Sequence, residues 1–270
     1  MAPSPPPIAG ALDLSGRVVL VTGGARGVGR GIAERFLEAG AAVVVCGRHQ
    51  PESLPAGGGR TATFSEADVR DAEQVGALVT SIAERFGRLD VAVNNAGGSP
   101  PADSATASAR FSTSIVTLNL LAPLFVAQAA NAVMQRQDEG GLIVNIGSVS
   151  GMRPSPSTAA YGAAKAGLIN LTETLAAEWG PKVRVNLVTA GLVRTEQSQL
   201  WYGDEDGIAA VGSTVPAGRM ADPADIGDAC VLLATRLARY ISGANLAVHG
   251  GGERPAYLAA SQGEINQGKG

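Results

Sequence analysis

A chain of 270 residues with 45% hydrophobic and 17% charged residues can bury a sizeable core, in one large α/β domain or two small ones. A formal net charge of -3 offers no basic face for nucleic acid, and 36 glycines without a three-residue period exclude collagen. Cys46 and Cys230, with His49 and His249, are too few and too scattered for a disulfide framework or a metal centre, so no metal is expected.

Residues 1–12 are rich in Pro and Ala and are expected to be disordered; they lack the charged start and apolar core of a signal peptide. No unbroken apolar run reaches about 18 residues, so no membrane partner is expected and a cytoplasmic protein is the default. Val18–Val21 is a β-branched strand that runs into a glycine-rich turn. Ile32, Ala33, Phe36 and Leu37 then carry helical spacing over Val28–Ala39. Strands follow at Ala42–Cys46 and, weakly, at Phe64–Ala67, with a helix over 71–86 whose apolar face holds Val75, Leu78, Val79, Ile82 and Phe86. The pattern continues with a strand at Leu89–Asn94, an apolar helix from Ile115 through Ala130 to Met134, and a strand at Leu142–Ile146. A long helix at Thr158–Trp179, a strand at Val183–Thr189, a helix at Pro223–Thr235 and a short strand at Asn245–Val248 complete it. Strand and helix alternate, and the strands are apolar on both faces. This predicts an α/β fold, a doubly wound parallel sheet of about seven strands with helices on both faces, as a single domain over 13–252 with a surface tail at 253–270.

Two local patterns have chemical meaning. Thr22–Gly29 places Gly23, Gly27 and Gly29 between the first strand and the first helix, where a backbone must turn sharply and let a pyrophosphate approach the helix N-terminus. No Gly-Lys-Ser/Thr follows, so this is not a P-loop. Tyr161 and Lys165 are four residues apart on the long helix and share a face. An ammonium beside a phenol favours the phenolate, which would bring the Tyr161 pKa down and suit it to proton transfer. Ser148 follows the strand at 142–146, at the end where open parallel sheets bind ligands, and its hydroxyl can stabilise charge on a substrate oxygen. Ser150 is a nearby competitor. A Ser-His-Asp hydrolase is disfavoured, because Ser148 and Ser150 flank Val149 without a G-x-S-x-G elbow.

Thr22–Gly29, Asn94-Asn-Ala-Gly97, Ser148 and Tyr161-x-x-x-Lys165, in this order and spacing, resemble the short-chain dehydrogenase/reductase family of ordinary length, from about Leu14 to Gly251. The wording between the motifs resembles its actinobacterial members. The resemblance implies a Rossmann-type NAD(P)-binding domain and an oxidoreductase acting on a CH–OH group. It assigns Asn119, Ser148, Tyr161 and Lys165 as catalytic, with Asn119 holding a water that links the lysine to solvent. Asn119 could otherwise mark a helix kink ahead of Pro123. Cofactor contacts are implied at Gly23, Arg26, Gly27, Val28, Gly29, Arg48, Asp68, Val69, Asn95, Ala96, Gly97, Tyr161, Lys165, Gly191, Val193 and Thr195. Asp68 and Val69 resemble the pair that contacts the adenine.

An NAD-preferring site places an acid at the end of the second strand, to accept from the ribose hydroxyls. Here Gly47 stands at that place, Arg48 follows, and Arg26 precedes the second motif glycine. Two guanidinium groups there imply NADP(H) as the preferred cofactor, with NAD(H) possible; solvated arginines are the alternative. Where the family has Pro-Gly, this chain has Ala190-Gly191, which loosens one restraint on the nicotinamide loop. Residues 196–216 match the family's substrate lid. Met152, Leu192 and Trp201, with Ser148 and Tyr161, are the expected substrate contacts. They favour a hydrophobic ketone or secondary alcohol, of steroid or acyl-CoA type. The apolar surroundings of the helices at 115–134 and 158–179 lead us to expect a homotetramer or homodimer, with a second contact through Leu246, Val248 and the tail as far as Leu258. The competing reading is a non-catalytic nucleotide-sensing or scaffold protein that retains the fold.

Overall fold

The computed structural model describes residues 10–257. Its first half contains β1 (Val18–Thr22), α1 (Gly27–Glu38), β2 (Ala42–Gly47), a small hairpin of β3 (Ala56–Gly57) and β4 (Arg60–Thr61), β5 (Thr63–Glu66), α2 (Ala72–Phe86) and β6 (Val91–Asn94). There follow α3 (Ala109–Val116), a π-helical turn (Thr117–Leu121), α4 (Ala122–Met134), β7 (Gly141–Ser148), a 3-10 turn (Val149–Gly151) and α5 (Ala159–Trp179). The chain ends on β8 (Val183–Ala190), α6 (Ser198–Tyr202), α7 (Glu205–Ser213), α8 (Pro223–Ala234) and β9 (Asn245–Val248).

Seven strands form one parallel sheet in the order β5-β2-β1-β6-β7-β8-β9. Alternation along β1 shows how both faces become buried: Val19 and Val21 join Ile32, Phe36 and Ile226 of α1 and α8 on one side. Val18 and Leu20 join Val75, Leu78 and Val126 of α2 and α4 on the other. The chain winds outward from β1 to β5 and then restarts on the other side of β1 at β6. That reversal opens a crevice at the carboxyl ends of β1 and β6, where such sheets bind ligands.

Local chemistry sets the boundaries. Asp71 caps α2 by accepting from Glu73 N and Gln74 N at 2.9 and 3.2 Å, and Gly87 ends it at φ 75°. The strand expected from Leu89 begins at Val91 instead, because the Gln137 side chain takes both main-chain groups of Leu89, at 2.8 and 3.0 Å. The helix expected from Ile115 begins at Ala109, capped by Ser108 accepting from Phe111 N at 3.1 Å. Ala109–Met134 is long and apolar enough by composition to cross a membrane, with mean hydropathy 1.5 in its most apolar window. Here it covers the sheet, and Ile115, Asn119, Ala122, Val126, Ala127, Ala130 and Met134 are buried. A buried polar relay ties the sheet to α5. Asn94 Nδ2 donates to Asn145 Oδ1 at 2.8 Å, Asn145 Nδ2 to Thr172 Oγ1 at 2.9 Å, and Thr172 Oγ1 to Leu168 O at 2.8 Å.

Of the terminal stretches, residues 1–9 and 258–270, including Leu258, lie outside the described residues. Residues 10–12 form a turn in which Ala11 is buried.

Candidate active site

The carboxyl ends of β1, β6, β7 and β8 open onto one cleft of about 770 Å³. The glycine turn enters it first. A Cβ on Gly29 would lie 2.4 Å from both Asn95 Nδ2 and Gly23 O, so only glycine lets α1 start this close to the end of β6. Thr22 fixes that approach: its Oγ1 accepts from Asn95 N and Ala96 N, both at 3.0 Å, while Asn95 Nδ2 donates to Thr22 O at 2.9 Å. The cleft wall thus has backbone N–H groups of α1 on one side and the 94–97 segment on the other.

One end of the cleft is formed by Arg26, Arg48, His49, Asp68, Val69 and Arg70. Arg26 and Arg48 are exposed and make no ion pair among the described residues. Asp68 is held by Arg70 through Nε at 2.9 Å and Nη2 at 2.5 Å, and this guanidinium keeps its carboxyl below the usual carboxylate range. The Asp68 carboxylate is therefore already paired, with Val69 next to it in the cleft lining. Arg70, two residues on, was not singled out in the sequence; its charge is visible only once β5 brings it to the cleft.

The other end holds Ser148, Tyr161 and Lys165. Ser148 is the last residue of β7, and its Oγ accepts from Ser150 N at 3.2 Å. Its hydroxyl lies close enough to the Tyr161 phenol to favour the phenolate. Lys165 is 3% exposed; its Nζ donates to Ile146 O at 2.8 Å and stands 5.7 Å from the Tyr161 ring centroid. The Tyr161 pKa does not come down as expected. Burial raises the Tyr161 pKa above its ordinary value, and the Ser148 hydroxyl opposes this only in part. The same burial brings Lys165 down to about 8, so its ammonium remains largely charged at neutral pH beside the phenol.

Asn119 lies behind this wall, fully buried, inside the π-helical turn. Pro123 has no N–H, and its ring would crowd the carbonyl four residues back, which is that of Asn119. The widened turn relieves that crowding, with Ala122 N donating to Thr117 O. Asn119 Nδ2 donates to Ile115 O at 2.9 Å and Gly98 O at 3.0 Å, and Oδ1 accepts from Gly98 N at 2.9 Å. A Cβ on Gly97 would lie 2.7 Å from Asn119 Oδ1 and 3.4 Å from Lys165 Nζ, so both groups border the space that this glycine leaves open.

Gly191, Val193 and Thr195 also line the cleft. The restraint missing at Ala190 is replaced by backbone bonds: Gly191 N donates to Val248 O at 3.0 Å, Arg194 N to Ala221 O at 2.8 Å, and Ala221 N to Leu192 O at 2.9 Å. Of the expected substrate contacts, Ser148 and Tyr161 line the cleft, and Met152, Leu192 and Trp201 lie outside its lining. Leu192 is half-buried, whereas Met152 and Trp201 are each 53% exposed. The lid segment folds as α6 and α7, with Leu200 and Trp201 exposed on α6.

A family described as enoyl-(acyl carrier protein) reductase matches residues 23–253. The chain is 34% identical to a 3α-hydroxysteroid dehydrogenase of Mediterraneibacter gnavus, over 88% of this chain and 97% of that protein. It is 37% identical to a D-threitol dehydrogenase of Mycolicibacterium smegmatis, over 88% and 93% of the two chains. The chain belongs to the short-chain dehydrogenase/reductase family. Members of this family are oxidoreductases that act on CH–OH groups with NAD(P). The ligand-free aldohexose dehydrogenase of Thermoplasma acidophilum superposes with a TM-score of 0.82 at 31% identity, covering 88% of this chain and 94% of that one. The glycine cradle and the cleft extending from Arg48 to Tyr161 fit a nicotinamide dinucleotide.

Proposed function

We propose that this protein is an NADP(H)-dependent reductase of hydrophobic ketones, or in reverse a dehydrogenase of the matching secondary alcohols. The observation that carries the reading is one continuous cleft with Arg26 and Arg48 at one end and Ser148, Tyr161 and Lys165 at the other. Gly23, Gly27, Val28 and Gly29 hold the pyrophosphate at the start of α1. Asn95, Ala96 and Gly97 line its other side, and Gly191, Val193 and Thr195 hold the carboxamide. Arg26 and Arg48 pair with the ribose 2′-phosphate, and no acid at Gly47 opposes it. The bound nicotinamide supplies or accepts the hydride.

The chain's own residues handle the proton and the oxygen. Ser148 Oγ donates a hydrogen bond to the substrate oxygen, and Tyr161 gives that oxygen its proton during reduction. The phenol carries its proton at neutral pH and so has one to give. Lys165 holds the nicotinamide ribose and, next to Asn119, replaces the proton on the phenol. A scaffold without chemistry would have no need for Ser148, Tyr161 and Lys165 together at one end of the cleft.

Exposed Met152, Leu200 and Trp201 near the lid support an apolar substrate of steroid or acyl-CoA type. Similarity to the 3α-hydroxysteroid dehydrogenase supports the same choice. The chain assembles as a homotetramer or homodimer. Exposed Ala163, Ala166 and Ala177 on α5 provide one contact, and the β9 edge with Leu237, Tyr240 and Ile241 provides another. The cytoplasm suits its two cysteines, both free and buried. A panel of steroid and aliphatic ketones with a polyol for comparison, each run with NADPH and with NADH and followed by nicotinamide absorbance, tests the reading. Turnover of the polyol alone, or equal use of both cofactors, contradicts it; a light-scattering mass near 27.2 kDa contradicts the assembly.

A further inference from the structure

Three segments far apart in the chain meet beyond the 3-10 turn that follows Ser148. The first is the loop after β7. Its 3-10 turn is pressed against α5, since a Cβ on Gly151 would lie 2.7 Å from the Lys165 carbonyl carbon. Arg153 leaves that turn with its N–H donating to Val149 O at 3.2 Å and its Nη1 to Pro154 O at 3.0 Å. The second is the segment after β9. Gly250, Gly251 and Gly252 have φ of 63°, 96° and 86°, three successive left-handed residues that a side chain would strain. They wind the chain against the end of the lid, where Ala217 N donates to Gly250 O at 2.9 Å. They deliver Glu253 to Arg153, and the two side chains form an ion pair. The third is α6 of the lid, whose Tyr202 lies close enough to feel the Glu253 charge. The pair is 41% and 33% exposed, so it is open to competition from a solute.

We propose that Glu253 is a specificity-determining residue: by occupying Arg153 between the Ser148 loop and the lid, it makes this mouth accept uncharged carbonyl compounds and reject those bearing a carboxylate. Glu253 acts on an incoming anion in two ways. It fills the guanidinium fork that would bind the carboxylate, and its own charge repels that carboxylate. The inference rests on the ketone reductase reading above and deepens it by naming the charge of the substrate end.

The test uses the full-length protein and matched pairs of aliphatic oxo-acids and their primary amides, the amide being the internal reference. The wild type is expected to prefer the amide by kcat/KM. Glu253→Gln should raise the acid-to-amide ratio at least about tenfold, as a freed guanidinium gains a charged hydrogen bond. The gain should vanish in Glu253→Gln combined with Arg153→Gln, and Glu253→Asp should keep the wild-type ratio. An unchanged ratio in Glu253→Gln, or a gain that survives loss of Arg153, overturns the proposal. A second readout needs no turnover: hexanoate is titrated against Trp201 fluorescence, with Trp201→Phe as the blank. Glu253→Gln should bind hexanoate at least about tenfold more tightly than the wild type, and equal affinity overturns the proposal. If the wild type reduces no ketone, the reductase reading fails while the hexanoate titration still judges Glu253.

Discussion

Replacing Lys165 with methionine should change how stability depends on pH. The ammonium is 3% exposed, and burial brings its pKa from 10.5 down to about 8. That difference of about 2.5 corresponds to roughly 3 kcal/mol held against the charged form in the folded state, at about 1.36 kcal/mol per pH unit. The unfolded chain keeps this proton up to the ordinary value of 10.5, whereas the folded chain releases it near 8. Between those two values the unfolded state binds more protons, so stability rises with pH, by at most about 1.4 kcal/mol per unit. Below about pH 8 both states are charged and the penalty is present in full. The raised Tyr161 pKa works in the opposite sense, but only at pH values above the ordinary tyrosine value of 10.0. Lys165→Met removes the lysine titration while keeping most of the side-chain volume. The wild-type stability minus that of Lys165→Met should therefore climb by roughly 2–3 kcal/mol from about pH 7.5 to about pH 10 and stay level below about pH 7. Urea unfolding followed by circular dichroism at a series of pH values measures this directly. A difference that stays flat across the alkaline range would refute the buried-ammonium account, whatever the variant does to turnover.

Tyr161→Phe should keep cofactor affinity in a fluorescence titration and lose about 10²–10⁴ in turnover, because the ring remains but the proton is gone; near wild-type turnover would remove Tyr161 from the proton path. Arg48→Asp should lower the ratio of NADPH to NADH affinity by roughly ten- to a hundredfold, through loss of a charged hydrogen bond to the phosphate and gain of a ribose acceptor. An unchanged ratio in parallel titrations would show that Arg48 is merely solvated. Thr172→Val removes the acceptor of Asn145 Nδ2 in the buried relay and should cost about 1–3 kcal/mol in urea unfolding; a neutral result would mean that α5 is positioned by packing alone.

What could be read from the sequence follows how locally each feature is encoded. The central strands β1, β2, β6, β7 and β8 are legible because each carries an apolar, Val-rich or Ile-rich run that is buried on both faces, whereas the edge strands β5 and β9 are short and only partly buried. The glycine turn is legible because the close approach of Gly29 to Asn95 leaves room for no other residue. Tyr161, Lys165 and Ser148 sit on regular elements, so their spacing carries them to one place. Asn119 was noticed as a polar residue in an apolar helix, but the widened turn around it was not. That turn depends on how Pro123 meets the helix and on Gly98, which lies 21 residues away in sequence. The β3–β4 hairpin has strands of two residues each, too short for any alternation to show.

The direction of the Tyr161 shift is not legible in the sequence for a related reason. Sequence spacing shows that an ammonium is near a phenol, but not how deeply both are buried, and burial acts on both groups. It favours the neutral form of each, so a phenol beside a buried ammonium can still have its pKa raised. The substrate end is harder still to read, because its contacts join Arg153 to Glu253 across 100 residues and depend on three left-handed glycines in succession. Chemistry shared across the family sits on strand ends and helix faces that the sheet fixes. Choice of substrate sits on loops whose meeting points only the folded chain defines, and for that reason the reaction class can be read well before the substrate.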